Sequence, residues 1–270
     1  MSEARGRKNI FITGAASGIG AETARFFAKK GWFVGLYDID SFGLKAIADE
    51  IGAENCHSAI LDVTDRNAWG EAIAGFSEAT EKRMNVLFNN AGIGRHGWLE
   101  DVPAEDADAV IDVNVKGVIN GVYAALPLLK ETRGARIINT ASTAGVIGTP
   151  RLAVYSASKF AVRGLSEALD VEFSGLDIRV CSLIPWFVDT PILNMAEEEG
   201  SNRHMKDELL AGGLNVYPVS MAAEKVWEAT HGKASSYTVG KDADQARFGS
   251  RFLPGLVRKR LLKSLPKRKS

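Results

Sequence analysis

The chain has 270 residues, of which 46% are hydrophobic and 24% charged, with 27 glycines, a composition that excludes disordered, collagen-like and repeat-array proteins. Its 33 Lys and Arg balance 33 Asp and Glu, but from Arg247 onward there are nine basic residues and no acidic one, leaving 24 basic against 33 acidic residues in 1–246. An acidic body with a basic arm implies that the arm folds back on its own domain or meets an anionic surface. No run of about 18 apolar residues is present, and the opening MSEARGRKNI lacks an apolar signal core, so a cytoplasmic protein is expected. Cys56 and Cys181 are expected as buried thiols. His57, His204 and His231 share no ligand spacing or carboxylate company, so no metal is expected.

Apolar runs alternate with amphipathic stretches of helical length. A strand at 9–13 is followed by a helix at 18–30, a strand at 32–37, a helix at 41–51 and a strand at 57–61. The rhythm continues with a helix at 65–82, strand 85–88, a long helix at 103–129, strand 136–140, helix 155–173 and strand 178–183. Beyond Pro185 it loosens into helical pieces near 190–210 and 221–232 and a short strand at 237–239. This predicts an α/β protein, a doubly wound parallel sheet of about seven strands with helices on both faces. One domain is expected over 1–240, followed by a basic extension at 241–270.

The first strand runs into Thr13-Gly14-Ala15-Ala16-Ser17-Gly18-Ile19-Gly20, where a helix starts. A strand, a glycine-rich turn and a helix N-terminus aim free N–H groups and a positive dipole end at one place, which suits a pyrophosphate. The second strand leads to Asp38, about 20 residues past the glycines, where a carboxylate can accept from the adenosine ribose hydroxyls. An anion there repels a 2′-phosphate, and no Arg or Lys in the turn or just after Asp38 reverses the sign, so NAD is expected over NADP. A helix N-cap role fits Asp40 or Ser41 better than Asp38.

Tyr155 and Lys159 stand at i and i+4 at the start of a helix and therefore share a face. A fixed ammonium beside a phenol favours phenolate, moving tyrosine from its usual value of about 10 toward the working range of a base. Ser142, just past strand 136–140, places a hydroxyl at the carboxyl edge of the sheet, where ligands bind in open α/β folds.

Taken together, Thr13-Gly14-x-x-x-Gly18-Ile19-Gly20, Asp62-Val63, Asn89-Asn90-Ala91-Gly92, Asn114, Ser142 and Tyr155-x-x-x-Lys159 resemble the short-chain dehydrogenase/reductase family, a Rossmann-type fold, over about 8–239. The resemblance implies that Tyr155 is the general base in alcohol oxidation and the acid in ketone reduction, and that Ser142 holds the substrate oxygen. It implies that Lys159 binds the nicotinamide ribose and lowers the pKa of Tyr155, while Asn114 supports a water that relays protons. Gly14, Ser17, Gly18, Ile19, Gly20 and Asp38 would hold the cofactor. Asp62 and Val63 would contact adenine, and Asn90, Ala91 and Gly92 would line the groove or brace the sheet; for Asn89 and Asn90 a hydrogen-bonded structural turn is an equal alternative. The chain departs from the family's usual Pro-Gly with Pro185-Trp186, which puts bulk near the nicotinamide and disfavours positive φ. Pro185, Val188 and Thr190 still match cofactor positions.

Residues 186–217 correspond to the family's substrate flap and carry Phe187, Ile192, Leu193, Met195, Met205, Leu209, Leu210, Leu214 and Tyr217, interrupted by Glu197-Glu198-Glu199-Gly200. Such a flap suits a bulky hydrophobic alcohol or ketone, with Trp186, Phe187 and Leu193 on one side and His96 and Trp98 as the opposite wall; packing of the flap on the body explains the same pattern equally well. The tail offers Pro254 at a helix start, then Val257, Leu261, Leu262 and Leu265 against Lys259, Arg260 and Lys263. It suits peripheral contact with an anionic membrane, or packing on the acidic body or a neighbouring subunit. No groove-reading or stacking element points to nucleic acid. The function expected is NAD-dependent hydride transfer with such an alcohol or ketone. Alternatives are an NADPH-type ketoreductase of carrier-bound acyl chains and a non-catalytic NAD-binding scaffold. The resemblance also implies a homodimer or homotetramer through the long helices.

Overall fold

The computed structural model describes residues 6–194 and 205–265. The first half runs β1 (Asn9–Thr13), α1 (Gly18–Lys29), β2 (Phe33–Asp38), α2 (Ser41–Ile51), β3 (Cys56–Ile60), α3 (Arg66–Ala79), β4 (Val86–Asn89), α4 (Ala104–Ile111) and α5 (Gly117–Lys130). The second half runs β5 (Arg136–Thr140), α6 (Ala153–Glu172), β6 (Arg179–Pro185), α7 (Met205–Ala211), α8 (Val219–His231), β7 (Ser236–Val239), α9 (Lys241–Phe252) and α10 (Pro254–Ser264).

Seven parallel strands lie in the order β3-β2-β1-β4-β5-β6-β7. Ile10 pairs with Val34 on one side and Val86 on the other, so β1 is central and the winding direction reverses between it and β4. The crevice at the carboxyl ends of these two strands is where an open α/β sheet receives a ligand. Every residue of β1 is buried, because helices cover both faces of the sheet. Its side chains divide with period two: Ile10 and Ile12 join Val34, Leu36, Phe88 and Leu183 beneath α1, α2 and α8, whereas Phe11 joins Tyr37, Leu87 and Ile137 on the other face. There Phe11 stacks on Tyr37 at 3.9 Å between ring centroids and meets Trp69 and Phe76 at 5.6 and 5.3 Å.

The expected long helix at 103–129 is one continuous run, but Asp112–Lys116 forms a π-turn between α4 and α5 that buries Asn114. This run contains an 18-residue window of mean hydropathy 1.3, apolar and long enough to cross a bilayer by composition. Here Val110, Val118, Val122, Ala125, Leu128 and Leu129 are buried inside the protein.

Three sequence expectations change. Cys181 is buried, and desolvation pushes its thiol up to about 12, but Cys56 is only half-buried because β3 is an edge strand. The extension at 241–270 begins as an unforeseen helix, α9, which buries Ala243 and Ala246. The helical piece expected over 190–210 splits into a turn at Pro191–Asn194 and α7; Met195, Glu197-Glu198-Glu199-Gly200 and His204 lie outside the described residues.

Candidate active site

The glycine turn is built against the sheet. Gly14 has φ +67°, and a Cβ there would stand 2.9 Å from the Ala91 Cα; Gly18 has φ +52°, with the Thr190 methyl 3.1 Å from the same hypothetical atom. A side chain on Gly20 would collide with the Gly14 carbonyl, so Gly20 packs under the turn and does not line the cleft. Asn90 ties the turn down: its Nδ2 donates to the Thr13 and Gly14 carbonyls at 3.1 and 3.2 Å, and the Asn90 and Ala91 N–H groups both donate to Thr13 Oγ1 at 3.0 Å. Bracing is thus what the Asn90 side chain visibly does, although the residue also borders the cleft.

Asp38 ends β2 at the mouth of the same turn. Its Oδ2 accepts from the Ala16 N–H at 3.0 Å and its Oδ1 from Asp40 N at 3.1 Å, while Asp40 caps α2 by accepting from Phe42 and Gly43. Asp40, and not Asp38, therefore caps α2, as the sequence predicts. Asp62 and Val63 continue the wall; Asp62 Oδ1 accepts from Thr64, and the Val63 carbonyl is held by Trp69 Nε1 at 3.0 Å and Asn120 Nδ2 at 3.1 Å.

These residues line a cleft of about 570 Å³ that also takes in Ser17, Ile19, Ala91 and Gly92, and ends at Ser142, Tyr155 and Lys159. Ser142 caps a 3₁₀ turn, its Oγ accepting from Ala144 N at 3.1 Å. Lys159 is buried; its Nζ donates to the Thr140 carbonyl at 2.8 Å and lies 5.6 Å from the centroid of the Tyr155 ring. The expected direction of the Tyr155 shift is reversed. Desolvation raises the phenol above 10.0, opposed by a hydrogen bond with Ser142, and burial holds the Lys159 ammonium down to about 8.

Asn114 lies behind the cleft wall. Its Oδ1 accepts from Ile93 N at 2.9 Å, and its Nδ2 donates to the Ile93 carbonyl and to Ser158 Oγ at 2.9 and 3.0 Å. Together these bonds join the turn after β4 to α6. A Cβ on Gly92 would stand 3.1 Å from Asn114 Oδ1 and 3.3 Å from Lys159 Nζ, so only a narrow space separates the amide from the ammonium.

At the substrate end, Pro185, Trp186, Phe187, Val188, Thr190 and Leu193 all line the cleft. Trp186 has no positive φ to strain it; its N–H donates to the Val239 carbonyl, its ring meets Phe187 edge-on at 5.0 Å, and its buried Nε1 has no partner among the described residues. Leu193 and Met205 both line the cleft and pack with Leu152 and Leu209, so the flap's apolar residues do both jobs at once, while Leu210 and Leu214 are exposed.

The opposite wall is not His96 and Trp98, which stand outside the cleft lining. Beyond Arg95 the chain turns off: the Gly97 N–H donates to the Arg151 carbonyl, and Trp98 opens the 3₁₀ turn Leu99–Asp101. Gly94, Arg95, Thr149 and Leu152 occupy that wall instead. Thr149 and Leu152 lie six and three residues before Tyr155, a proximity that was the available signal.

A family model described as short chain dehydrogenase matches residues 8–201. The chain belongs to the short-chain dehydrogenase family. This short-chain dehydrogenase is 37% identical over 198 residues to 3-oxoacyl-[acyl-carrier-protein] reductase FabG of Thermotoga maritima, covering 71% of this chain and 78% of that protein. It is 36% identical over 205 residues to 3-ketodihydrosphingosine reductase of Bacteroides thetaiotaomicron, covering 74% and 72%. A short chain dehydrogenase/reductase from Burkholderia phymatum, crystallised in complex with NAD, superposes with a TM-score of 0.81 at 26% identity over 100% of this chain and 99% of that one. This short-chain dehydrogenase is therefore an oxidoreductase of a family that uses NAD or NADP.

Proposed function

We propose that this short-chain dehydrogenase is an NAD-dependent alcohol dehydrogenase or ketone reductase acting on bulky, hydrophobic secondary alcohols and their ketones. The observation that carries the reading is one continuous cleft with Asp38 at one end and Ser142, Tyr155 and Lys159 at the other. The glycine turn leaves room where a Cβ would intrude, and Asp38 has a carboxylate but no cation beside it in the turn, which fits a ribose carrying free hydroxyls. When bound, the nicotinamide supplies or accepts hydride. Ser142 holds the substrate oxygen, Tyr155 takes its proton in oxidation and returns it in reduction, and Lys159 sets the charge beside the phenol. Asn114 holds the turn after β4 on α6 through Ser158, the residue before Lys159.

The substrate's bulk follows from a reaction end walled by Leu152, Trp186, Phe187, Leu193 and Met205. A ketoreductase of carrier-bound acyl chains, the activity named for the Thermotoga relative, is the second reading; Asp38 speaks against an NADPH-dependent form of it. The cell compartment proposed is the cytoplasm.

The test follows NADH absorbance with NAD or NADP and a panel of bulky secondary alcohols, with Tyr155→Phe beside the parent. Turnover with NAD should fall by about 10²–10⁴-fold in Tyr155→Phe while NAD affinity is kept. Because burial raises the Tyr155 phenol, oxidation should climb with pH into the alkaline range and reduction should fall there. Undiminished turnover in Tyr155→Phe would sink the enzymatic assignment, and preference for NADP would sink the reading of Asp38.

A further inference from the structure

The outer end of the basic extension plays no part in the chemistry above. Its inner helix is anchored, since α9 packs on β7 and on the Thr143–Gly145 turn and buries Ala243 and Ala246. Gly249 lets α10 come close; a Cβ there would stand 3.2 Å from Val257 Cγ2. Val257 and Leu261 are half-buried against α9, and no residue of α10 is buried.

The outward side of this helical pair is apolar and cationic together. Phe248 and Phe252 are each 60% exposed with rings 4.9 Å apart, and Leu253, Leu256 and Leu262 of the same pair of helices and their junction are exposed as well. Arg247, Arg251, Arg258, Lys259, Arg260 and Lys263 are exposed on the same two helices, with the Arg251 guanidinium 5.8 Å from the Phe252 ring centroid. Among the described residues, no ion pair ties any of the six to a carboxylate, although residues 1–246 hold nine more acidic than basic side chains. Among the described residues, these cations therefore do not neutralise the acidic body. Aromatic and leucine side chains exposed in a field of unpaired cations match the boundary between headgroups and acyl chains of an anionic bilayer. A nucleic-acid backbone would pair the cations but leave the five apolar side chains in water.

We propose that the α9–α10 face docks this protein on anionic membrane surfaces, with Phe248, Phe252 and the neighbouring leucines entering the interface and the six cations meeting lipid phosphates and carboxylates. The acidic body is repelled by the same surface, which confines contact to this face and sets the orientation. Because α9 also packs on the turn that follows Ser142, the docked face adjoins a segment that carries the reaction end of the cleft.

The test is sedimentation of the full chain with vesicles of phosphatidylcholine alone or with roughly a third phosphatidylserine, at about 0.1 M salt. Binding should be at least about tenfold tighter to the anionic vesicles and should weaken as salt rises. Phe248→Ser with Phe252→Ser, and separately Lys259→Gln with Arg260→Gln and Lys263→Gln, should each weaken binding about tenfold or more without moving the thermal midpoint. Equal binding to both vesicle types, or none, overturns the proposal. So does full binding by the phenylalanine pair, which would reduce the contact to charge alone. Loss of oligomer mass in that pair, with vesicles ignored, would make the face an interface between copies of the chain; tighter binding to duplex DNA than to vesicles would make it a nucleic-acid surface.

Discussion

Lys159 is only 3% exposed, and its ammonium has the Thr140 carbonyl as its hydrogen-bond partner in place of a carboxylate. Burial lowers its pKa from 10.5 to about 8, so below pH 8 both folded and unfolded chains carry the charge and the folded state bears the full penalty. As pH rises from 8 toward 10.5 the unfolded chain holds the proton longer, and the penalty is relieved. The wild type should thus gain stability across that window, and Lys159→Met should be more stable at pH 7 by on the order of 2 kcal/mol while losing turnover, as strained functional residues do. Chemical denaturation at several pH values measures both; a less stable Lys159→Met would refute this account. Asp38 is the corresponding residue at the other end of the cleft. Asp38→Asn removes the anion but leaves an acceptor for Ala16 N, so the ratio of kcat/KM with NADP to that with NAD should rise about tenfold or more. An unchanged ratio would mean that cofactor choice is made elsewhere.

At the scale of elements, the segment after β5 is pinned along the flank of α6. Thr149 N donates to Ser156 Oγ at 3.0 Å, Arg163 Nη1 donates to the Gly145 carbonyl at 3.0 Å, and a Cβ on Gly145 would stand 2.5 Å from the Lys159 carbonyl oxygen. Below this contact, Asn89 Nδ2 donates to Asn139 Oδ1 and Asn139 Nδ2 to Ser166 Oγ, tying β4 and β5 to the same helix. Ser142 and Tyr155 therefore keep their spacing because a loop and a helix touch backbone to backbone. Gly145→Ala should push the loop off α6, costing about 1–3 kcal/mol and lowering kcat, whereas Gly148→Ala, with nothing within 4 Å of its Cβ, should be near neutral. Denaturation midpoints and kcat for the pair decide it, and a silent Gly145→Ala would remove the loop–helix contact from the explanation. Neither the amide network nor this contact is visible in the amino-acid order, since each joins residues from separate elements. The glycine turn and the Tyr155–Lys159 spacing, by contrast, lie within single short segments and were legible there.

For the whole molecule, α5 and α6 present Tyr123, 73% exposed, and Val171, 75% exposed, to the outside, and Phe160 on α6 is 41% exposed. A homodimer or homotetramer through these helices is expected, and Tyr123→Glu with Val171→Glu should shift the mass toward monomer in sedimentation equilibrium. A parent chain that sediments as a monomer would remove the proposal. The succession of strands and helices along the chain, the glycine turn before α1, Asp38 ending β2 and the helical pairing of Tyr155 with Lys159 were determined by the sequence alone. Each depends on a local period of two or 3.6 residues or on a motif read within one turn. Only the tertiary structure decided that Thr149 and Leu152, in place of His96 and Trp98, wall the cleft; that burial outweighs the Ser142 hydrogen bond at Tyr155; and that, among the described residues, the cations of α9 and α10 stand exposed without a carboxylate partner. Those outcomes depend on which distant segments meet and how much water they exclude, quantities that no local pattern contains.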